Sequence, residues 1–323
     1  SFEEVAYLIL NKELPNKIKL KKFKKELEKN RNITINLREI VKHMPKKSHP
    51  MDVARTVVSV MGLEDKETSN NSPTANMRKA IRIFAKTPTA MAAFFRARKG
   101  KNVISPKKRL GFSENFFYMC FGKIPSKDIV KAFDVSLILY AEHSFNVSTF
   151  TARTITSSLS DIHGAITGAI ASLKGPLHGG ANEEVMHMMN KIKKPENALK
   201  WINKALDNKD VVMGFGHRVY KKGDSRVPTM EKYFKKVSEI NKDKKFHKIY
   251  DLVKNVMIER KNIHPNVDYP TGPTYHLMGF DTDFFTPIFV LSRITGWSAH
   301  IMEQHAANKL IRPLSKYNDE DHR

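Results

Sequence analysis

SKDIVKAFDVSLILYAEH, residues 126–143, sets Ile129, Val130, Phe133, Leu137 and Tyr140 three and four positions apart behind a serine suited to capping. Apolar residues at that spacing share one side of a 3.6-residue helix. The stretch therefore predicts a helix that starts at Ser126, turns one face to a core and delivers Glu142 and His143 near its end. The same period recurs in both directions along the chain while strand-like alternation is scarce, so the predicted fold class is mainly α.

Downstream, residues 157–173 are small and apolar, with Gly164 and Gly168 four apart, which lets two helices approach closely inside the protein or at a subunit interface. Asp161, His163 and the limited length argue against a bilayer span. Pro195 and Pro228 read as first-turn residues of two further helices, one carrying Leu199, Ile202 and Leu206, the other Met230, Phe234 and Val237. A last helix is expected from about Phe284 to Lys309. Upstream, Thr87 and Pro88 read as the cap and first residue of a helix bearing Met91, Phe94 and Phe95 that stops near Gly100. Pro15 opens a lysine-rich segment with Ile18, Phe23 and Leu27 on one side, which reads as a solvated surface helix in preference to a membrane-binding or partner helix.

A chain of 323 residues suits two lobes or one sizeable helical unit. With 41% hydrophobic and 28% charged residues, a disordered, collagen-like or disulfide-scaffold protein is excluded. The formal charge of +23, from 56 Lys+Arg against 33 Asp+Glu, invites a polyanion: nucleic acid, a membrane surface or a phosphorylated ligand. Only fifteen of those cations are Arg and no nucleic-acid reader motif accompanies them, so the excess reads mainly as solvated lysine surface and a nucleic-acid partner is not expected. Cys120 is the sole cysteine, which rules out disulfides within the chain and multi-cysteine zinc sites and suits a reducing, cytoplasmic setting. The first residues, SFEEVAYLIL, have no basic flank or cleavage site, and no apolar run reaches the ~18 residues of a membrane span.

Four segments set an ionisable group beside Gly, Pro or a helix end, where backbone can approach a ligand: AEHSFN at His143, GPLHGGAN at His178, GFGHRVYKKGDSR at His217 and NVDYPTGP at Asp268. His178 falls between a helix stopped by Gly175 and Pro176 and a new one near Asn182, close to amides that favour a neutral imidazole able to donate to a developing oxyanion. His217 lies in VVMGFGHRVYKKGDSR, residues 211–226, a segment without helical period that predicts a surface loop. Its glycines and Arg218, Lys221, Lys222 and Arg226 suit a phosphate- or carboxylate-bearing ligand, although neither GxGxxG nor GxxxxGK[ST] is present. Asp268, read as a loop residue after Pro265, could be a general base. Arg293 lies amid the apolar FTPIFVLSRITGW and needs an anion, either an internal carboxylate or a bound one. Metal binding is not expected: HExxH is absent, His300 and His305 are five apart, and His178 with His187 has no third ligand.

LYAEHSFN, GPLHGGAN, GFGHRVYKKGDSR, NVDYPTGP, LSRITGW and LIRPL stand in the order found in citrate synthases, and the chain resembles that family over essentially all its length, most strongly from Leu139 to Tyr317. The resemblance implies a homodimer of mainly α subunits, each with a large domain (1–178 and 272–323) and a small domain (179–271) closing over an interdomain cleft. It also implies that the family's early segment, with a small sheet and dimer contacts, is missing ahead of residue 1. The chemistry implied is condensation of an acyl-CoA with oxaloacetate and hydrolysis of the thioester, with no cofactor because the CoA thioester is a substrate. By motif match, Asp268 removes the α-proton, His178 holds the enolate oxygen and His217 polarises the oxaloacetate ketone. His143, Arg226 and Arg293 bind oxaloacetate, joined by Arg312 from the partner subunit. Val212, Met213, Gly214, Phe215, Gly216, Lys221 and Lys222 match the segment that holds CoA.

Acetyl-CoA giving citrate leads as the family's commonest role. GDSRVPTM, PTGPTYHLMGFDTDFF and SAHIMEQHAANKLIRPLSKY look like the 2-methylcitrate branch, which uses propionyl-CoA, so that reading stands nearly level and both substrates can be used. One methylene is worth only about 1–3 kcal/mol in a pocket. The different-class alternative is a non-catalytic basic protein that binds nucleic acid.

Overall fold

A run of apolar positions at helical spacing folds into helix after helix, and the computed structural model, which describes residues 1–175, 178–217, 219–220 and 222–316, has no β-strand among them. The first half comprises α1 (Phe2–Asn11), α2 (Lys17–Asn30), α3 (Ile35–His43), α4 (Pro50–Glu64), α5 (Pro73–Ala97), α6 (Phe112–Phe121), α7 (Lys127–Tyr140), α8 (Val147–Ser157) and α9 (Ile162–Leu173). The second comprises α10 (Ala181–Ile192), a 3-10 turn (Pro195–Asn197), α11 (Ala198–Asp207), α12 (Val227–Ile240), α13 (Lys245–Lys261), α14 (Asp268–Leu277), a second 3-10 turn (Thr282–Phe284) and α15 (Phe285–Ala306). No helix among the described residues is long and apolar enough to cross a membrane.

The centre is aromatic. Phe280 lies with its ring 5.1–5.8 Å from those of Phe116, Phe117, Phe121 and Phe133, so α6, α7 and the turn after α14 share one packed cluster. α7 follows the expected pattern: Ser126 Oγ accepts from the Ile129 amide at 3.5 Å, and Phe133, Leu137 and Tyr140 are fully buried. The helix stops at Tyr140, which leaves Glu142 and His143 in the turn beyond it. α8 and α9 meet closely at Gly168, where a Cβ would fall 2.1 Å from Ile155 Cδ1, so the small-residue stretch serves close packing within the chain.

Several boundaries differ from expectation for physical reasons. α5 runs unbroken through Pro88, because its start is set by Ser72 Oγ on the Ala75 amide and by Pro73 in the first turn. Thr87 caps nothing; its hydroxyl donates to the Ile83 carbonyl at 2.7 Å, and the burial of residues 87–95 outweighs the hydrogen bond that Pro88 cannot make. In α2, Phe23 and Leu27 are buried but Ile18 is 80% exposed. Leu199 is likewise exposed, while Ile202 and Leu206 face the core. Asp268 is the first residue of α14, not a loop residue.

Candidate active site

The turns after α7 and before α10, the loop 211–226, and the starts of α8, α12 and α14 converge on the middle of α15. His178 stands in the turn before α10, and its Nε2 faces the start of α8, where the Ser148 amide donates to it at 3.1 Å. Ser148 Oγ lies 2.9 Å from the same nitrogen and accepts from Trp297 Nε1 at 3.2 Å. An acceptor Nε2 fixes the ring proton on Nδ1, so the imidazole is a neutral donor. Burial, then the charge of Arg293, pushes its pKa down to about 4. The amides that set this state belong to α8, not to the helix that follows His178 as expected.

Asp268 is half-buried, with Oδ1 accepting from the Tyr140 hydroxyl at 2.5 Å. Burial raises its pKa, against the Tyr140 hydrogen bond and the charges of Arg226 and Arg293. The result is a carboxyl more basic than an ordinary aspartate, within reach of the same Arg293 charge that acts on the neutral imidazole of His178.

The cationic side is built on Arg293, which is 2% exposed on α15. Its Nε donates to the Tyr140 carbonyl at 2.7 Å and its guanidinium lies 4.5 Å from the Phe289 ring centre; no carboxylate among the described residues pairs with it. Burial, then repulsion from Arg226, pushes its pKa down to about 9, so the site gains from an incoming anion. Arg226 differs, because Asp224 holds it in a fork at 2.9 and 2.7 Å. Asp224 is fixed in turn by the Val267 amide at 3.0 Å, beside Asp268. His143 completes this side, with its ring 5.1 Å from that of His217 and its Nε2 3.2 Å from the Tyr220 hydroxyl. Burial, then Arg226, Arg293 and His217, pushes its pKa down to about 4.

His217 Nδ1 accepts from the Val219 and Tyr220 amides at 3.1 and 3.2 Å, which places the ring proton on Nε2. The segment before it is tied to residues 264–266: the Gly216 amide donates to the His264 carbonyl and the Asn266 amide to the Gly214 carbonyl, both at 2.9 Å. Gly214 has φ +85°, and a Cβ there would fall 2.6 Å from Val185 Cγ2 and 2.9 Å from Tyr269 Cβ, so no other residue fits. Val212 is buried, Met213, Phe215 and Gly216 are half-buried, Lys222 is exposed, and Lys221 lies outside the described residues. A cavity of about 360 Å³ lined by Lys209, Val211, Val212, Phe215, Lys261 and Ile263 adjoins this segment.

Of the expected residues, His143, His178, His217, Arg226, Asp268 and Arg293 come together; Arg312 does not. It is exposed on the segment after α15 and has no hydrogen bond or ion pair among the described residues. A roomier apolar cavity of about 470 Å³ beside α2, α5 and α6 lies elsewhere and has no histidine in its lining. Sequence reasoning missed Ser148, Trp297, Asp224 and Tyr220, and took Tyr140 for core alone. Only Asp224 carried a local signal, an acid two positions before an arginine in a glycine-bearing loop.

Residues 1–314 match the family model described as "Citrate synthase, C-terminal domain". The chain is 50% identical over 328 residues to "2-methylcitrate synthase 2" of Corynebacterium glutamicum, covering 100% of this chain and 86% of that one. It is 49% identical over 323 residues to "Citrate synthase" of Mycolicibacterium smegmatis, with the same coverage. Among solved structures, the Thermoplasma acidophilum citrate synthase, in ternary complex with carboxymethyl coenzyme A and oxaloacetate, superimposes with a TM-score of 0.91 at 32% identity, covering 100% of this chain and 86% of that one.

Proposed function

The chain belongs to the citrate synthase family of acyl-transferring condensing enzymes, and from that premise we propose that it joins oxaloacetate to a short acyl-CoA through the residues just described. The observation that carries the residue assignment is the opposed pair around Arg293, whose charge reaches both: His178, held neutral as a donor by Ser148, and Asp268, made more basic by burial. A thioester α-proton is a weak acid, so a carboxylate can remove it only if the enolate oxygen is stabilised as it forms. Asp268 takes the proton while His178 Nδ1–H donates to that oxygen. His217 donates Nε2–H to the oxaloacetate ketone, whose carbon accepts the enolate carbon, and water then cleaves the thioester to release CoA.

Arg293, with no carboxylate paired to it among the described residues, takes one substrate carboxylate, and Arg226 and His143 flank the other. We assign Arg312 to the site of a partner subunit, which makes the working unit a homodimer. Residues 179–271 are the lobe that closes, since Asp268 and His178 stand at its borders. Residues 212–216 with Lys221 and Lys222 hold CoA. No cofactor is required, and the setting is cytoplasmic.

Acetyl-CoA is the leading acyl donor; propionyl-CoA is the second reading, favoured by the 50% identity to a relative named 2-methylcitrate synthase. The test is thiol release from purified protein given oxaloacetate with either thioester. Cys120 is buried and its thiol is raised well above the usual range by burial, so it adds little background. Release that requires oxaloacetate is expected, and the ratio of the two kcat/KM values names the donor. No release from folded, dimeric protein would refute the reading.

A further inference from the structure

His143 rides on a strained turn. Between α7 and α8 the chain passes through Glu142, His143, Ser144 and Phe145, and Ser144 holds φ +50°, a left-handed conformation that a serine adopts at a cost. Something must fix that turn, and two side chains outside the site grip it on both sides of His143. His300 Nε2 lies 3.1 Å from Glu142 Oε1, and Arg153 stacks on Phe145 with its guanidinium carbon 4.9 Å from the ring centre. The His300 ring also meets Phe145 edge-on at 5.4 Å.

The two grips are one unit. Arg153 Nε–H donates to His300 Nδ1 at 3.0 Å, which forces the ring proton onto Nε2, where it donates to the Glu142 carboxylate. Arg153 is 7% exposed, and its other nitrogens reach Gln304 Oε1 at 2.9 Å and the Glu303 carboxylate, both on α15. The unit is thus anchored on α8 and α15, and Gly296 of α15 donates its amide to the Ala141 carbonyl at 3.1 Å at the start of the same turn.

We propose that Arg153 and His300 are positioning residues that clamp the 142–145 turn and so set the affinity of the site for oxaloacetate. The proposal rests on the reading above in which His143 binds that substrate. Neither residue reaches the reacting atoms; each acts through the placement of His143.

The test compares His300→Leu, which removes donor and acceptor, with His300→Gln, which keeps both side by side. Oxaloacetate binding is measured by calorimetry without acyl-CoA, and KM for each substrate and kcat by thiol release. His300→Leu should weaken oxaloacetate binding about tenfold, the scale of a lost charge-assisted hydrogen bond, with KM for acyl-CoA changed less than about twofold. His300→Gln should recover most of that loss. If His300→Leu does not fold, Phe145→Ala decides, since Phe145 is 64% exposed: its oxaloacetate binding should fall about threefold. Unchanged binding in the folded variant, or equal losses for both substrates, overturns the clamp. Wild-type protein that binds no oxaloacetate would instead overturn the substrate reading beneath it.

Discussion

As the proposed base, Asp268 can act only when ionised, and its surroundings pull its pKa in opposite directions. Burial raises it, and the Tyr140 hydroxyl, Arg226 and Arg293 draw it back. His178 is already neutral above about 4, so with Asp268 as the proposed base a fall in activity at moderately acid pH is expected to report Asp268 taking up a proton. Tyr140 itself remains a donor, because burial raises its own pKa well above the usual phenol range. Tyr140→Phe keeps the ring and removes the hydrogen bond that favours the carboxylate. Asp268 should then hold its proton to higher pH, and the acid limb of kcat/KM for acyl-CoA should move up by about one unit, the equivalent of one hydrogen bond of ordinary strength. Rate profiles of the two proteins between pH 4 and 8 check this; coincident limbs would mean that Tyr140 does not tune the base.

Two glycines on packed helices look alike in sequence but serve unlike contacts. A Cβ at Gly296 would fall 2.6 Å from the Ala141 carbonyl oxygen and 3.2 Å from Glu142 Cα, backbone that is itself held by the Gly296 amide. At Gly168 the obstacle is the far end of the Ile155 side chain, which can turn aside. Gly296→Ala should therefore lower stability by about 1–3 kcal/mol, as overpacking does. Gly168→Ala should cost little, because alanine gains about 1 kcal/mol over glycine inside a helix. Urea denaturation ranks them, and the reverse order would contradict the packing described. The contrast shows what was legible in the sequence. Periodic apolar positions located α7, α12 and α15, nearby Gly or Pro marked His178, His217 and Asp268, and a helix end marked His143, because these signals are local. Pro88 misled because whether a proline starts a helix or lies inside one depends on what the neighbouring turns bury, and Ile18 misled because one helix face can be apolar without a neighbour. Ser148, Tyr140 and Trp297 gave no signal, since their partners lie 30, 128 and 149 positions away and only the folded chain joins them.

At the scale of the whole molecule, one residue assigned to the proposed site stands apart from the others in the chain. Arg312 is exposed on a segment whose start is tied down, with the Ile311 amide donating to Ser157 Oγ at 3.0 Å and the Asn308 side chain to the Ser157 carbonyl at 2.9 Å. A segment anchored at its root and presenting an arginine with no ion pair among the described residues can complete the site of a second copy. If it does, Arg312→Ala and Asp268→Asn should each be inactive as homodimers for different reasons, one lacking the donated arginine and the other the base. In a hybrid dimer, the Arg312→Ala subunit keeps Asp268 and receives Arg312 from its partner, so one of the two sites is whole. Random reassortment of equal amounts makes half the dimers hybrid, and thiol release should recover to about a quarter of the wild-type rate. Were Arg312 to act within its own subunit, every subunit in the mixture would lack one required group. Co-expression with two affinity tags isolates the hybrid, and an inactive hybrid would place Arg312 outside the partner's site.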